Sequence, residues 1–519
     1  MNETTKRYNK VLDIINKRLI PDDDAKRTRG EVFTPLHLVQ EMILGVRRSS
    51  GALEIWGLNE KGEYVDDDEK DRIGGIPLSI LRDSETKWLD PANGIGNFPV
   101  VAFYILDYQI GTHGKKEFRG DKNKTKRQKH ILQKMLYTIE LNKGNVNASI
   151  KIFKLIVPDV SPNICCADTL EMTDDKLMDV FGVNRFDVIM GNPPYNEGGI
   201  RSHTGKQLGE KNETIWPKFI ELSFEWLKPD GFLLFINPLS WLKKSHPLHN
   251  VMLEKEIIWL KLWDNTKSKE MINADIPISL FVLKNTSNLD HKKTEIISIL
   301  KRRGLTTTST EYLNPTYSIP LAFHSIFNKL MHFIEREHLQ LEYKTKTVKS
   351  SGTKVKLPTH YALEDKWAVD TYTLKEGLMV KKAIEPHPDA NKRKLIIANK
   401  SSFKGAFIDK GKLGLTGNDK SYILGDRLEL LLKLLSFKIS VMISHLIKYR
   451  QDFLEKEAYT YLPDIRKLGI RDITEDEFYT RVGFTQQEIM QIKNMDDKEK
   501  HTSTKKAMKG GTKTRKVRR

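Results

Sequence analysis

Two consecutive prolines, Pro193-Pro194, stand directly behind a short apolar run, and they restrict the fold more than any other feature of the chain. Phe186 to Met190 is rich in β-branched and aromatic residues, as a buried strand requires. Gly191 ends the run. Asn192-Pro193-Pro194-Tyr195 then forms a stiff turn, because each proline fixes φ and lacks a backbone N–H. The carbonyls of Asn192 and Pro193 project from this rigid arm, beside an amide side chain and an aromatic ring. Such a set suits a planar amino group, with oxygens to accept its N–H bonds and a ring to stack on its π-face.

A second signal lies upstream in Trp88-Leu-Asp-Pro-Ala-Asn-Gly-Ile-Gly-Asn-Phe98. The pattern predicts a strand ending at Asp90, a glycine turn, and a helix over Phe98 to Gln109. Gly94 and Gly96 let the backbone approach a ligand, and the helix N-terminus favours a carboxylate there. Met135 to Leu141 is the next expected strand and ends in Glu140; Asn163 to Asp168 is a third and ends in an acid. In doubly wound nucleotide-binding sheets, an acid at the end of the second strand accepts both hydroxyls of a ribose. Asp90 and Glu140 stand farther apart than the usual ~20 residues. Residues 111–130, with eight Lys or Arg between Lys115 and Lys129, account for the excess as an exposed insertion.

Further along, Thr214 to Leu227 has Trp216, Phe219, Ile220, Ser223 and Trp226 at helical spacing. Strands are expected over Phe232 to Asn237, Ile257 to Trp263 and Ile276 to Leu283, the last two forming a hairpin. Alternating strands and helices define an α/β doubly wound fold. Ahead of this region, Thr34 can cap a helix over Leu36 to Leu44 with Pro35 in its first position. Residues 46–85, which include an acidic run at Asp66 to Glu69, are expected to be a solvated polar insertion.

Together these motifs resemble the amino-methyltransferases that use S-adenosylmethionine (AdoMet), within the type II restriction–modification methylases. The resemblance is strong over residues 28–285 and loose beyond. It implies a Rossmann-like methyltransferase core with a doubly wound mixed sheet, followed by an α+β target-recognition domain. Asn192, Pro193, Pro194 and Tyr195 are then the catalytic residues. Thr34, Pro35, Asp90, Pro91, Ala92, Gly94, Gly96, Glu140 and Asp168, with Asn192, line the AdoMet site. Glu140 is expected at the ribose and Asp168 at the adenine amine. Thr-Pro first, then the glycine turn, then Asn-Pro-Pro-Tyr resembles the gamma order of DNA adenine-N6 methyltransferases. The reaction so implied is methyl transfer to the N6 of an adenine flipped out of double-stranded DNA. Cytosine N4, RNA and protein glutamine are the alternative acceptors within the same fold. A second aromatic on the far face of the base is usual in the family, but Lys269 to Ala274 holds none. The implied domains are 1–285 for catalysis, 286–495 for target recognition, and a basic tail over 496–519.

The composition agrees with this outline. The chain has 519 residues, enough for two or three domains. No apolar run reaches the ~18 residues of a membrane span. The N-terminus has no signal-peptide pattern, and the two cysteines are adjacent, so neither a disulfide framework nor a spaced metal site is expected. An intracellular location follows. The net charge is +18, and half of the excess lies in the last twenty residues. That balance suits a polyanionic partner. The tail, with Gly510-Gly511-Thr512-Lys513-Thr514-Arg515-Lys516, resembles those on many proteins of large DNA viruses, which implies a viral source. Only 29 residues precede Gly30, and they lack an Asp…Glu-x-Lys nuclease pattern, so any cognate restriction endonuclease is expected to be a separate protein.

Overall fold

A computed structural model describes residues 34–49, 52–59, 61–65, 69–196, 213–286, 292–373, 376–398, 403–417, 420–450 and 454–495. The sequence of Tyr8 to Leu19 predicts a further helix; that segment, Gly30, the Gly- and His-containing stretch Gly198 to Gly209 and the basic tail lie outside these residues. The chain divides into two compact units, the first reaching Tyr317 and the second beginning at Ser318, apart from the short stretch Arg303–Leu305, which goes with the second.

In the first unit, a hairpin of β1 (Val46–Ser49) and β2 (Ala52–Ile55) precedes a nine-stranded sheet. The sheet comprises β3 (Trp88–Asp90), β4 (Leu136–Glu140), β5 (Asn163–Cys166), β6 (Phe186–Gly191), β7 (Leu227–Pro238), β8 (Glu256–Trp263), β9 (Ile278–Lys284), β10 (Thr294–Leu300) and β11 (Leu305–Glu311). Their spatial order is β11-β10-β8-β9-β7-β6-β3-β4-β5. Strands β3 to β7 are parallel to their neighbours in this block. Strand β9 runs antiparallel between β7 and β8. The fold is the expected doubly wound mixed α/β sheet.

Helices cover the sheet because its strands are apolar on both faces. Trp88, Val188, Met190, Leu234 and Ile236 pack in one cluster with Leu38, Val39 and Met42 of α1 (Leu36–Leu44) and Val101 and Ile105 of α2 (Asn97–His113). Their strand neighbours Leu89, Ile189, Leu233 and Phe235 are also buried, and alternation turns them to the opposite face. On the expected amphipathic segment, helix α6 (Trp216–Trp226) buries Trp216, Phe219, Ile220, Ser223 and Trp226.

Several expectations need correction. The last core strands are antiparallel neighbours, but they are joined through helix α7 (Asn265–Ile272) rather than by a tight turn. The sheet also continues past residue 285. Strand β10, with Ile296, Ile297 and Leu300 buried, pairs in parallel with β8 and covers its otherwise open edge. Residues 46–85 are not simply a solvated loop: Trp56, Ile76, Leu78 and Leu81 join the core. Nor is the basic stretch 111–130 wholly exposed. Helix α3 (Lys124–His130) turns Arg127 inward, where Nε donates to Asp107 of α2 at 2.6 Å and Nη1 to the Phe118 carbonyl at 2.7 Å. Helix α4 (Lys143–Ile156) packs behind β4 and β5, and α5 (Asp174–Phe181) follows β5 in the chain.

The second unit is α+β among the described residues. Strands β12 (Ser350–Lys356), β13 (Trp367–Thr373), β14 (Gly377–Ala383) and β17 (Gly414–Leu415) form one sheet in the order β12-β14-β13-β17. Strands β15 (Arg393–Ile397), β16 (Ala406–Lys410) and β18 (Ser421–Leu424) form another, with β15 central. Helix α8 (His324–Arg336) begins at a buried histidine. The amphipathic pattern over Arg427 to Phe453 predicts one long helix, but the structure forms two, α9 (Leu428–Ser436) and α10 (Lys438–Leu446), with Phe437 extended at φ −66° and ψ 145°. The break has a cause. The Leu434 carbonyl receives the Ser440 hydroxyl at 2.7 Å, and Lys438 N donates to the Glu475 carboxylate instead of continuing the helix. No helix among the described residues is long and apolar enough to cross a membrane.

Candidate active site

The strand order reverses at β3, which lies between β4 and β6. Crevices form at the carboxyl ends of strands where such a reversal occurs. The acids and the proline arm singled out in the sequence all lie at or just beyond these strand ends.

Asp90 closes β3 and is fully buried. Its Oδ1 accepts from Ala92 N at 3.0 Å. Burial raises its pKa well above the usual carboxylate range, and the neighbouring Glu140 charge pushes the same way. Asp90 therefore braces the glycine turn from beneath. Gly191 at the end of β6 makes room for it, since a Cβ there would lie 2.9 Å from Asp90 Oδ1.

The turn itself needs its glycines. Gly94 has φ 57° and Gly96 φ 100°, and a Cβ on Gly96 would meet Ser149 Oγ at 2.9 Å. Asn93 is bulkier than the small residue usual in this position. It uses the volume by donating from Nδ2 to Ser149 Oγ of α4 at 3.2 Å, which fastens the turn to that helix. Glu140, at the end of β4, accepts from Gly94 N at 2.8 Å through Oε2 and from Asn142 N at 2.8 Å through Oε1. Asn145 Nδ2 also lies 3.4 Å from Oε1. Asp168 caps a short turn by accepting from Leu170 N at 2.9 Å. The next residue, Thr169, donates its hydroxyl to the Pro91 carbonyl and ties the β5 loop to the β3 loop.

The proline arm leaves β6 with Pro193 buried and Asn192, Pro194 and Tyr195 half-buried. Asn192 Nδ2 donates to Thr34 Oγ1 at 3.2 Å. Asn97, the first residue of α2, donates from Nδ2 to the Thr34 carbonyl at 2.7 Å. Thr34 does not cap α1 as expected. Pro35 occupies the cap with no side-chain bond, and Thr34 is bonded across the fold instead. The Tyr195 ring packs against the core, and its buried hydroxyl has no hydrogen-bond partner among the described residues. Burial pushes its phenol pKa above the ordinary range. Beyond the arm, Ile215 N donates to the Tyr195 carbonyl at 3.2 Å, which anchors the arm to the start of α6.

The structure thus gathers Thr34, Asp90, Pro91, Ala92, Gly94, Gly96, Glu140, Asp168 and Asn192 in one bonded set of loops, with Pro35, Pro193, Pro194 and Tyr195 adjoining in sequence. Three further residues belong to it: Asn97, Ser149 and Thr169. Asn97 and Thr169 adjoin motif residues, which is a faint signal; Ser149 has none.

Residues 79–271 match the family model described as the Eco57I restriction-modification methylase. The first unit carries a restriction–modification methylase domain. The matched span includes the glycine turn, Glu140, Asp168 and the proline arm, and stops short of Thr34 and of the second unit. A curated relative, the type II restriction enzyme and methyltransferase RM.Eco57I of Escherichia coli, is 27% identical over 263 residues, which covers 41% of this chain and 24% of the relative. The chain therefore spans about a quarter of that relative's length. Among solved structures, the modification subunit of a putative type I restriction enzyme from Vibrio vulnificus YJ016 is similar at 15% identity and TM-score 0.36, covering 74% of this chain and 65% of that one. The type IIL restriction-modification enzyme MmeI, solved in complex with DNA, is similar at 11% identity and TM-score 0.45, covering 84% of this chain and 72% of that one.

Proposed function

We propose that the protein is a site-specific DNA methyltransferase that moves a methyl group from AdoMet to the N6 of an adenine flipped out of double-stranded DNA. The observation that carries this reading is the Asn192-Pro193-Pro194-Tyr195 arm at the end of β6, joined through Thr34 and Asn97 to the glycine turn that Glu140 closes.

AdoMet is the methyl donor of this family, and the residues present fit it. It carries an amino group, ribose hydroxyls and an adenine amine, all of which need acceptors. Asn93 Oδ1 and Asn97 Oδ1 are buried acceptors without a partner among the described residues, and Glu140 and Asp168 are carboxylates at or just beyond neighbouring strand ends. Gly94 and Gly96 leave the backbone bare for close approach. We assign the ribose to Glu140, the adenine amine to Asp168, and the carboxylate end to the Thr34-Pro35 backbone and the α2 N-terminus.

Bound there, AdoMet supplies an electrophilic methyl. The chain's own work is on the acceptor nitrogen. An exocyclic amine is a poor nucleophile because its lone pair is delocalised into the ring. Acceptance of its two hydrogens by the Asn192 side chain and the Pro193 carbonyl draws the nitrogen toward tetrahedral geometry and frees that lone pair. The prolines hold these oxygens in place before the base arrives, so alignment costs little at the moment of reaction. Tyr195 is assigned the stacking role in this reading. A base inside a duplex cannot reach such an arm and has to be everted. Asn at the head of the motif favours adenine over cytosine N4, where Ser or Asp is more usual. The second unit is the target-recognition domain in this reading.

The test is incubation of purified protein with labelled AdoMet and plasmid DNA, followed by nucleoside digestion and mass spectrometry. N6-methyldeoxyadenosine is the expected product. Asn192→Ala should reduce transfer by roughly 10²–10³-fold, the range for losing one group that stabilises a transition state, with AdoMet binding retained. N4-methyldeoxycytidine would change the base, and labelling of RNA or protein alone would overturn the DNA assignment.

A further inference from the structure

We propose that Thr34 and Asn97 are positioning residues that hold the Asn192 amide in place for the target amine. The inference rests on the reading of Asn192 as an acceptor for the target amine. An amide side chain has a donor end and an acceptor end, and only the acceptor end can receive an N–H from an amino group. A rotated Asn192 would set NH₂ against NH₂.

The amide is held from outside the arm. The Thr34 hydroxyl oxygen accepts from Nδ2 at 3.2 Å, which leaves Oδ1 on the other side of the amide. Thr34 is itself fixed: it is 2% exposed, and its carbonyl receives Asn97 Nδ2 at 2.7 Å. Pro35 behind it is locked at φ −58° and ψ 140°. Asn97 directly follows Gly96, the left-handed residue of the glycine turn. Glycine turn, Thr34 and target amide are thus joined by two hydrogen bonds. A shift of the turn moves Asn97, then Thr34, then the amide, so the state of the donor-side loop is felt at the acceptor nitrogen.

The experiment compares wild type with Thr34→Ala, Thr34→Ser, Asn97→Asp, Asn192→Ala and the double variant Thr34→Ala/Asn192→Ala. Melting temperatures are taken first, without AdoMet or DNA. The two single alanine variants break the same bond, so the double variant should lose less than the sum of their shifts; additive shifts would overturn the contact. Single-turnover methyl transfer to DNA and AdoMet affinity by calorimetry follow. Thr34→Ala should slow transfer about tenfold, the scale of one lost hydrogen bond, with AdoMet affinity within about twofold. Thr34→Ser keeps the hydroxyl and should restore the rate. Asn97→Asp, whose carboxylate cannot donate to the Thr34 carbonyl, should slow transfer as Thr34→Ala does. A Thr34→Ala protein with full single-turnover rate would overturn the inference and leave the methyltransferase reading intact. Non-additive melting with no methyl transfer by wild type would overturn the methyltransferase reading and leave only the Thr34–Asn192 contact standing.

Discussion

Lys394 in the second unit and Asn97 in the first are both polar side chains withdrawn from water, and their surroundings differ. Lys394 is fully buried on β15. It donates to Asp409 Oδ2 at 2.6 Å and meets the carbonyls of Asp389, Ala390 and Lys392 at 2.9, 3.1 and 3.0 Å. Asp409 also receives Lys412 N and Leu413 N. Asp389, one turn away, receives the Tyr422 hydroxyl at 2.7 Å and the ammonium groups of Lys344 and Lys392. The lysine ammonium of Lys392 leads in holding the Asp389 carboxyl well below its usual range. Every strong group in this knot is engaged. In the first unit, Asn93 Oδ1, Asn97 Oδ1 and the Tyr195 hydroxyl are equally buried and have no partner among the described residues. A saturated polar network fixes a structure. Spare buried polar atoms cost folding energy, and they persist where another molecule completes the set.

The largest test of this contrast is Lys394→Met. Loss of one partner leaves Asp409 as a buried charge, so the second unit should lose roughly 3–5 kcal/mol in urea unfolding. A loss under about 1 kcal/mol would show that apolar packing, not the knot, holds these strands. Next comes His324, at the start of α8. Burial lowers its pKa to about 4, against a smaller upward pull from the Pro320 carbonyl. The unfolded chain takes up this proton near pH 6.5 and the folded chain only near 4. Stability from the neutral ring is therefore complete above pH 6.5 and drains as pH falls toward 4, by about 3 kcal/mol. Unfolding measured across that window should show the slope, and His324→Gln should flatten it; an unchanged slope would assign it to other groups. The smallest effect is expected at the site itself. Glu140→Gln removes the charge behind the bonds to Gly94 and Asn142, which should weaken AdoMet binding about tenfold by calorimetry, or roughly 1.4 kcal/mol. Unaltered affinity would limit Glu140 to bracing the turn.

The contrast also explains what was legible in the sequence. Strand ends at Asp90, Glu140 and Gly191 follow from local patterns: apolar runs, glycines and prolines at fixed offsets. The same locality hid the rest. Asn97 meets Thr34 across 63 positions, Asn93 meets Ser149 across 56, and Thr169 meets Pro91 across 78. Thr34 has the local chemistry of a helix cap, yet two distant amides claim it. Between residues 46 and 85, polar composition masks six core residues. The break at Phe437 depends on Glu475, which no local pattern could supply. In the second unit, the saturated knot is assembled from Lys344, Asp389, Lys394, Asp409 and Tyr422, single residues that carry no motif.

Strand β9 has a consequence for how the chain comes into being. It is made after β7 and β8, yet it lies between them and bonds to both. Until Ile278–Lys284 has left the ribosome, the twelve-residue β7 keeps an open apolar edge. Open edges invite pairing with other chains. A nascent chain paused before that point, or a fragment cut after Trp263, carries two such edges. A fragment meant to isolate the catalytic half has to run past Glu311, so that β9 seals the centre and β10 and β11 seal the flank.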